Sequence, residues 1–284
     1  MGNRRPSSSR CGWAAPQGLR QLDASAAGET TCATGDRGFH QSGNRPKDTK
    51  KNGITQRKVQ YWVIPPTASS EFVAGMEDVL GTYKKPCDKR FPVLCMDEQP
   101  VQLLKETRVP VPASKKHARR VDYEYERNGT ASIFMFAEPL AGWRQVRVRP
   151  RRTKVDWALE MKELLTTRFA NAGKVMLVCD NLNTHTKGAF YDAFPPGQAR
   201  ALVQRLEFHC TPKHGSWLNI AENELSCMTQ QCLKGRRIGD IELLREETEA
   251  WAAATNESQR GVQWQFTIED ARTRLISLYP KIIN

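Results

Sequence analysis

An α/β fold built on a mixed central sheet is the architecture the sequence predicts, and three observations carry it. Two short apolar blocks, Pro92–Met96 and Lys174–Cys179, have the composition of buried strands, and each runs straight into an aspartate. Several stretches between and after them carry apolar residues at helical spacing. Three strand-like segments also follow one another before the second helix, which breaks the strict strand–helix alternation of an all-parallel sheet.

Taken in order, the first helix is expected over Ala68–Tyr83, where Phe72, Val73, Met76, Val79, Leu80 and Tyr83 share one face and Ser69 or Ser70 can cap it. A strand then closes at Asp97. Two more are expected at Tyr123–Phe136 and Trp143–Arg149, separated by the turn-like Glu138-Pro139-Leu140-Ala141-Gly142. Val155–Phe169 reads as a helix, Lys174–Cys179 as a strand, Lys187–Phe194 and Gln198–Leu206 as helices, and Glu207–Cys210 as a short strand. After the loop Thr211–Ser216, helices are expected from Asn219 towards Cys232, over Ile241–Ala254, and over Ile268–Tyr279. This divides the chain into a segment 1–58, a linker and amphipathic helix 59–90, and a main domain 91–284.

Composition narrows the class of function. The 284 residues carry 43 Lys and Arg against 31 Asp and Glu, a net charge of +12 and a pI near 9.4, which favours a polyanionic partner. Residues 1–58 hold 11 basic against 4 acidic side chains and show neither helical nor strand periodicity, so this segment is expected to be disordered and could drape over a nucleic-acid backbone. No apolar run is long enough for a membrane span or a secretory leader, which points to a cytoplasmic, nucleoid-associated protein. Eight cysteines lack any C-x-x-C pair, and the group His209, Cys210 and His214 lacks a fourth partner, so zinc is disfavoured.

The residues that carry chemistry are acids. Two-metal phosphodiester chemistry needs several carboxylates converging from different elements, because magnesium prefers oxygen ligands. Asp97 and Asp180 each follow an apolar strand, so adjacent strands would bring them out at one sheet edge. A third acid near a helix start could reach over that edge, and both Glu222 and Glu224 are placed to do so. Each residue also has a bland reading: an aspartate after a strand is often a turn former, and Asn219-x-x-Glu222 is a capping-box pattern. Asn181, Asn183 and His185 follow the second aspartate closely, where loop hydrogen bonding accounts for them as well as a role at the site does.

The blocks PVLCMDEQP, DYEYERNGTASIFMFAEPLAGWR, VCDNLNTHT and EFHCTPKHGSWLNIAENELSCMTQQCL closely resemble DDE-type transposases of the insertion sequence 630 family, relatives of mariner elements, over roughly Trp62–Pro280. The resemblance implies an RNase H-like fold with a central mixed sheet. It also implies three metal ligands: Asp97 in CMDE, Asp180 in CDN and Glu222 in LNIAE, the last in preference to Glu224. Two magnesium ions, replaceable by manganese, would be bridged by the first aspartate. Water and then a DNA 3′-hydroxyl would attack phosphates in line, on mobile-element ends and target DNA, within a homodimer or larger assembly.

Basic residues suited to DNA phosphates are Lys115, Lys116, Arg119 and Arg120, together with Arg147, Arg149, Arg151 and Arg152; in an extended strand Arg147, Arg149 and Arg151 would form one row. A solvated, charged edge strand is the competing account. Relatives usually carry helix-turn-helix units ahead of the catalytic domain, and residues 1–58 contain no amphipathic helix pair to form one. The alternative to an active transposase is therefore a remnant that lacks its reader and only binds DNA non-specifically. A general RNase H-like nuclease would share the site.

Overall fold

The computed structural model describes residues 20–22, 67–258 and 260–281. Within them run β1 (Arg20–Leu22), α1 (Ser70–Tyr83), β2 (Val93–Glu106), β3 (Tyr125–Glu138), β4 (Trp143–Arg149), α2 (Lys154–Thr166), β5 (Val175–Cys179), α3 (Lys187–Ala193), α4 (Pro196–Gln204) and β6 (Leu206–Cys210). α5 (Ile220–Met228), α6 (Ile241–Glu257), β7 (Val262–Trp264) and α7 (Ile268–Arg274) complete the chain. The main sheet has the order β4-β3-β2-β5-β6, with β2, β3 and β4 antiparallel and β2, β5 and β6 parallel, so the predicted mixed α/β sheet is present.

Side-chain alternation divides the core into two layers. Cys95, Ile133, Met135, Val146 and Val178 face the side covered by α1, α5 and α6. Leu94, Met96, Phe134, Phe136, Leu177 and Cys179 face the side covered by α2, α3 and α4, around Trp157. α1 starts where predicted, with the Ser69 hydroxyl accepting the Phe72 N–H at 3.2 Å. Its buried Met76, Val79 and Leu80 each contribute about 1.5–3 kcal/mol of burial, enough to outweigh the roughly 1 kcal/mol that each of Gly75 and Gly81 costs within a helix. Gly75 has a reason to be there. A Cβ at this position would lie 3.3 Å from Pro212 Cβ, so its absence lets the loop following β6 lie tightly on α1.

The structure departs from the sequence reading in four places. β2 does not close at Asp97 but continues to Glu106, because β3 pairs with it as far as Glu106↔Tyr125, well past the last β5 partner, Cys95↔Val178. With no β5 neighbour alongside, this outer stretch is a two-stranded ribbon that accommodates Pro100 and a register shift between Gln102 and Leu104. α5 gives up its α geometry at Met228 and ends in a widened π turn over Thr229–Leu233. The last helix stops at Arg274, and a separate 3₁₀ turn follows over Ile276–Leu278. β7 had no counterpart in the pattern; Arg20–Leu22 runs parallel to it. The remaining positions of 1–58, with the disorder and absent helix-turn-helix expected there, lie outside the described residues, as do 59–66.

Candidate active site

The register of two parallel strands sets the site. Cys95 and Val178 are the last residues at which β2 and β5 pair with each other, and Asp97 and Asp180 each lie two positions further on. An even step keeps the side on which a strand residue projects, so Asp97 continues the face on which Cys95 meets the α5 layer, while Asp180 follows directly on the end of β5 at Cys179. α5 brings the third acid, Glu222, in its first turn.

The start of α5 is fastened to β2 by one side chain. Asn219, only 1% exposed, accepts the Ala221 N–H through Oδ1 at 3.1 Å and donates from Nδ2 to the Met96 carbonyl at 2.9 Å. The helix N-terminus is thereby held on the residue that precedes Asp97. Sequence reading treated Asn219 as a cap alone; the second bond spans 123 positions and has no local signature. Ser216, in the turn before α5, donates its hydroxyl to Glu222.

Asp97 and Glu222 both feel the charge of Asp180. Burial pushes the Asp97 carboxyl up to about 7; the Glu98 N–H, which donates to Asp97 Oδ1 at 2.8 Å, opposes the shift, and the charges of Asp180 and Glu222 add to it. Glu222 is also raised, by burial first and by Asp180 as well. Among the described residues no Lys or Arg forms an ion pair with any of the three, and no group of three or more His, Cys, Asp and Glu is already gathered at metal-holding spacing. The acids therefore form a shared electrostatic site rather than a closed cage.

Glu224 has the opposite surroundings. It is 4% exposed and is gripped by Arg144, with Nε at 3.0 Å and Nη2 at 2.8 Å, and by Arg260 Nη2 at 3.0 Å. Two guanidinium groups take up its charge, which leaves Glu222 as the acid of α5 directed at the aspartates.

Asp180 has a buried partner in His185. Its Oδ1 lies 2.5 Å from His185 Nδ1, while His185 Nε2 lies 3.0 Å from Glu98 Oε1. Burial lowers the His185 pKa, but the bonds to Asp180 and Glu98 outweigh it and raise the group to about 9, so the imidazolium donates to both carboxylates. Asn181 and Asn183 are exposed. Glu98 escaped the sequence reading, although a charged residue next to Asp97 must project to the opposite face of β2, into the apolar layer of α2 and α3. Of the disfavoured zinc group, His209 is occupied by Asp78 at 2.9 Å and Glu207 at 3.3 Å, and the Cys210 thiol is lowered to about 7 by its hydrogen bond with Cys179.

The expected basic row is broken. Arg147 pairs with Glu163 and with Glu249 at 3.5 Å, and Arg149 pairs with Glu160 at 2.5 Å and Asp156 at 3.5 Å, so both tie β4 to neighbouring helices instead of facing outward. Arg151 and Arg152 are exposed beyond the strand end. Lys115, Lys116, Arg119 and Arg120 are exposed at the tip of the β2–β3 arm, where Val111↔Arg120 and Ser114↔His117 close a hairpin.

An aspartate on β2, another just past the end of the adjoining parallel β5 and a glutamate at a helix start are the candidate acids on an RNase H-like sheet. The chain belongs to the DDE superfamily endonucleases: residues 92–245, more than half its length, match the model of that family. Among solved structures it is similar to the Mos1 strand transfer complex, with a TM-score of 0.51 and 13% identity over 83% of this chain and 69% of that one. It is also similar to the Mos1 mariner paired end complex with Mn, with a TM-score of 0.49 and 15% identity over 78% of this chain. The chain spans 64% of the length of that second structure. No curated protein matches by sequence. No described helix is long and apolar enough to cross a membrane.

Proposed function

We propose that this chain is the catalytic part of a transposase of the insertion sequence 630 family, cutting DNA at mobile-element ends and joining it to target DNA with two magnesium ions, for which manganese can substitute. The observation that carries the reading is the convergence of Asp97, Asp180 and Glu222 with no Lys or Arg paired to any of them among the described residues, the His185 imidazolium on Asp180 being the one cation at the cluster. An all-oxygen donor set in which Asp97 and Glu222 are both raised by burial and by the charge of Asp180 fits hard divalent cations, and these three residues would hold them. When bound, such cations supply activation of an attacking oxygen and stabilisation of the leaving one.

The chain's own groups do the positioning. The Glu98 N–H keeps the Asp97 carboxylate turned in one direction, and Asn219 holds the start of the Glu222 helix against β2. DNA phosphates would meet Lys115, Lys116, Arg119 and Arg120 on the arm, with Arg151 and Arg152 at the end of β4; Arg147 and Arg149 are engaged elsewhere. Support comes from family membership and from the likeness of fold to the Mos1 strand transfer complex. Assembly as a homodimer or larger complex on DNA, in the nucleoid, belongs to the same proposal.

The test is nicking of supercoiled DNA by purified protein with Mg²⁺ or Mn²⁺, beside Asp180→Asn and Glu222→Gln. Metal-dependent nicking that both variants lose is expected. Equal inactivity of all three proteins, with DNA binding intact, would transfer the chain to the non-transposing alternative.

A further inference from the structure

We propose that His185 and Glu98 form a buried positioning pair for Asp180, fixing which carboxylate oxygen it offers to a divalent cation; this rests on the metal reading of the site. The pair spans a gap that the backbone leaves open. The β2–β5 ladder ends at Cys95↔Val178, so Asp180 sits on a loop with no strand pairing to hold it. His185 lies five positions along that loop, and Glu98 is the residue directly after Asp97 on β2. The chain Asp180 Oδ1, His185 Nδ1, His185 Nε2, Glu98 Oε1, with steps of 2.5 Å and 3.0 Å, therefore ties the two aspartate-bearing segments together just beyond the point where hydrogen bonding between them stops.

Burial gives the pair its stiffness. The His185 and Glu98 side chains are 0% and 2% exposed, and the imidazole lies against Trp157 with ring centroids 5.6 Å apart. A loop histidine needing only a partner could have used a backbone carbonyl. This one instead keeps a carboxylate buried on the apolar side of the sheet, with Glu98 Oε2 unpartnered among the described residues. An arrangement that retains so costly a group is matched to a task there. With Oδ1 engaged by the imidazole, Asp180 presents Oδ2 in a fixed orientation, as hydrogen-bonded ligand carboxylates in metal sites do.

The experiment measures Mn²⁺ binding to the full chain, free of DNA, by the electron paramagnetic resonance signal of unbound Mn²⁺, with thermal melting alongside. The variants are His185→Ala, which removes both bonds; His185→Asn, whose amide can stand near Nδ1 and donate to Asp180; and Glu98→Gln, which keeps the shape but not the charge. We expect His185→Ala to weaken Mn²⁺ binding roughly 10–100-fold. His185→Asn should recover most of that loss although its melting temperature falls as much as that of the alanine variant, and Glu98→Gln should lie between. Recovery without regained stability separates positioning from a purely structural role. If His185→Ala fails to fold, His185→Asn and Glu98→Gln carry the test between them. Mn²⁺ binding that His185→Ala or Glu98→Gln leaves at the wild-type value, or that tracks melting temperature across the set, would overturn the positioning role alone. Wild-type protein indistinguishable from Asp180→Asn in binding no Mn²⁺ would overturn the metal reading and this inference with it.

Discussion

Glu222 and Glu224 stand two residues apart on one helix and have opposite fates. Glu224 is enclosed by Arg144 and Arg260, so its charge is answered inside the molecule. Glu222 faces Asp97 and Asp180, and that cluster has no Lys or Arg ion pair among the described residues. A half turn of helix thus separates a carboxylate used to hold the fold from one left available to an outside cation. The difference teaches that internal neutralisation, more than residue type or burial, tells the two roles apart.

The comparison can be broken most sharply by exchanging charge for shape at each end. Asp180→Asn is expected to bring metal-dependent nicking down to background in a protein that still folds, with a melting temperature somewhat below that of wild type because the buried His185 loses a charged partner; retained nicking would remove the acid cluster from the chemistry. Glu224→Gln should do the reverse to stability, costing about 3–5 kcal/mol in denaturant unfolding because two guanidinium groups lose their buried partner. A change below about 1 kcal/mol there would mean that the pair is solvated and that the contrast between the two glutamates is false.

Asn219→Ala falls between the two roles. Loss of the cap and of the bond to Met96 should cost about 1–3 kcal/mol, and nicking at a temperature where the variant is fully folded should still drop, because Glu222 loses its fixed approach to Asp97. Stability lost with full nicking retained would confine Asn219 to capping.

The pH dependence sharpens the same contrast. Asp97 titrates at about 7 in the folded protein, above its ordinary 3.8, so between those values the folded state keeps a proton that the unfolded chain has released. Its contribution to stability is present in full below the ordinary value and fades as pH rises through about 7. Without divalent cations, the melting temperature of wild type should fall between pH 6 and 8 more steeply than that of Asp97→Asn. Added Mg²⁺ should raise the wild-type melting temperature more at pH 8 than at pH 6, where it must displace the proton; equal shifts at both values would argue against Asp97 as a ligand.

The smallest effects concern cations. Arg151→Ala should lower the salt dependence of DNA binding by about one unit of slope, whereas Arg147→Ala, already answered by Glu163 and Glu249, should leave it nearly unchanged. The opposite order would restore the row that the sequence suggested.

Much of the framework was legible in the chain. β4 was placed at its observed bounds, α1 at its cap, and β5 within one residue, because each is set by local apolar periodicity and a turn or cap at its end. The length of β2 was not legible. Beyond Asp97 its residues Glu98, Gln99 and Pro100 have no strand character of their own, and they are extended because β3 supplies partners from 30 or more positions away. Of the candidate site, the acids could be named from motif and strand ends, while Glu98, the second bond of Asn219 and the capture of Arg147 and Arg149 could not.

The sequence by itself determined the mixed α/β class and most element positions, and it named the candidate acids, since these follow from hydrophobic period, capping chemistry and residue type. Only the tertiary structure decided which charges are spent within the molecule and which remain for a ligand. Neutralisation depends on which side chains meet across 80 or 87 positions, as Arg144 meets Glu224 and His185 meets Glu98, and no local pattern encodes such a meeting.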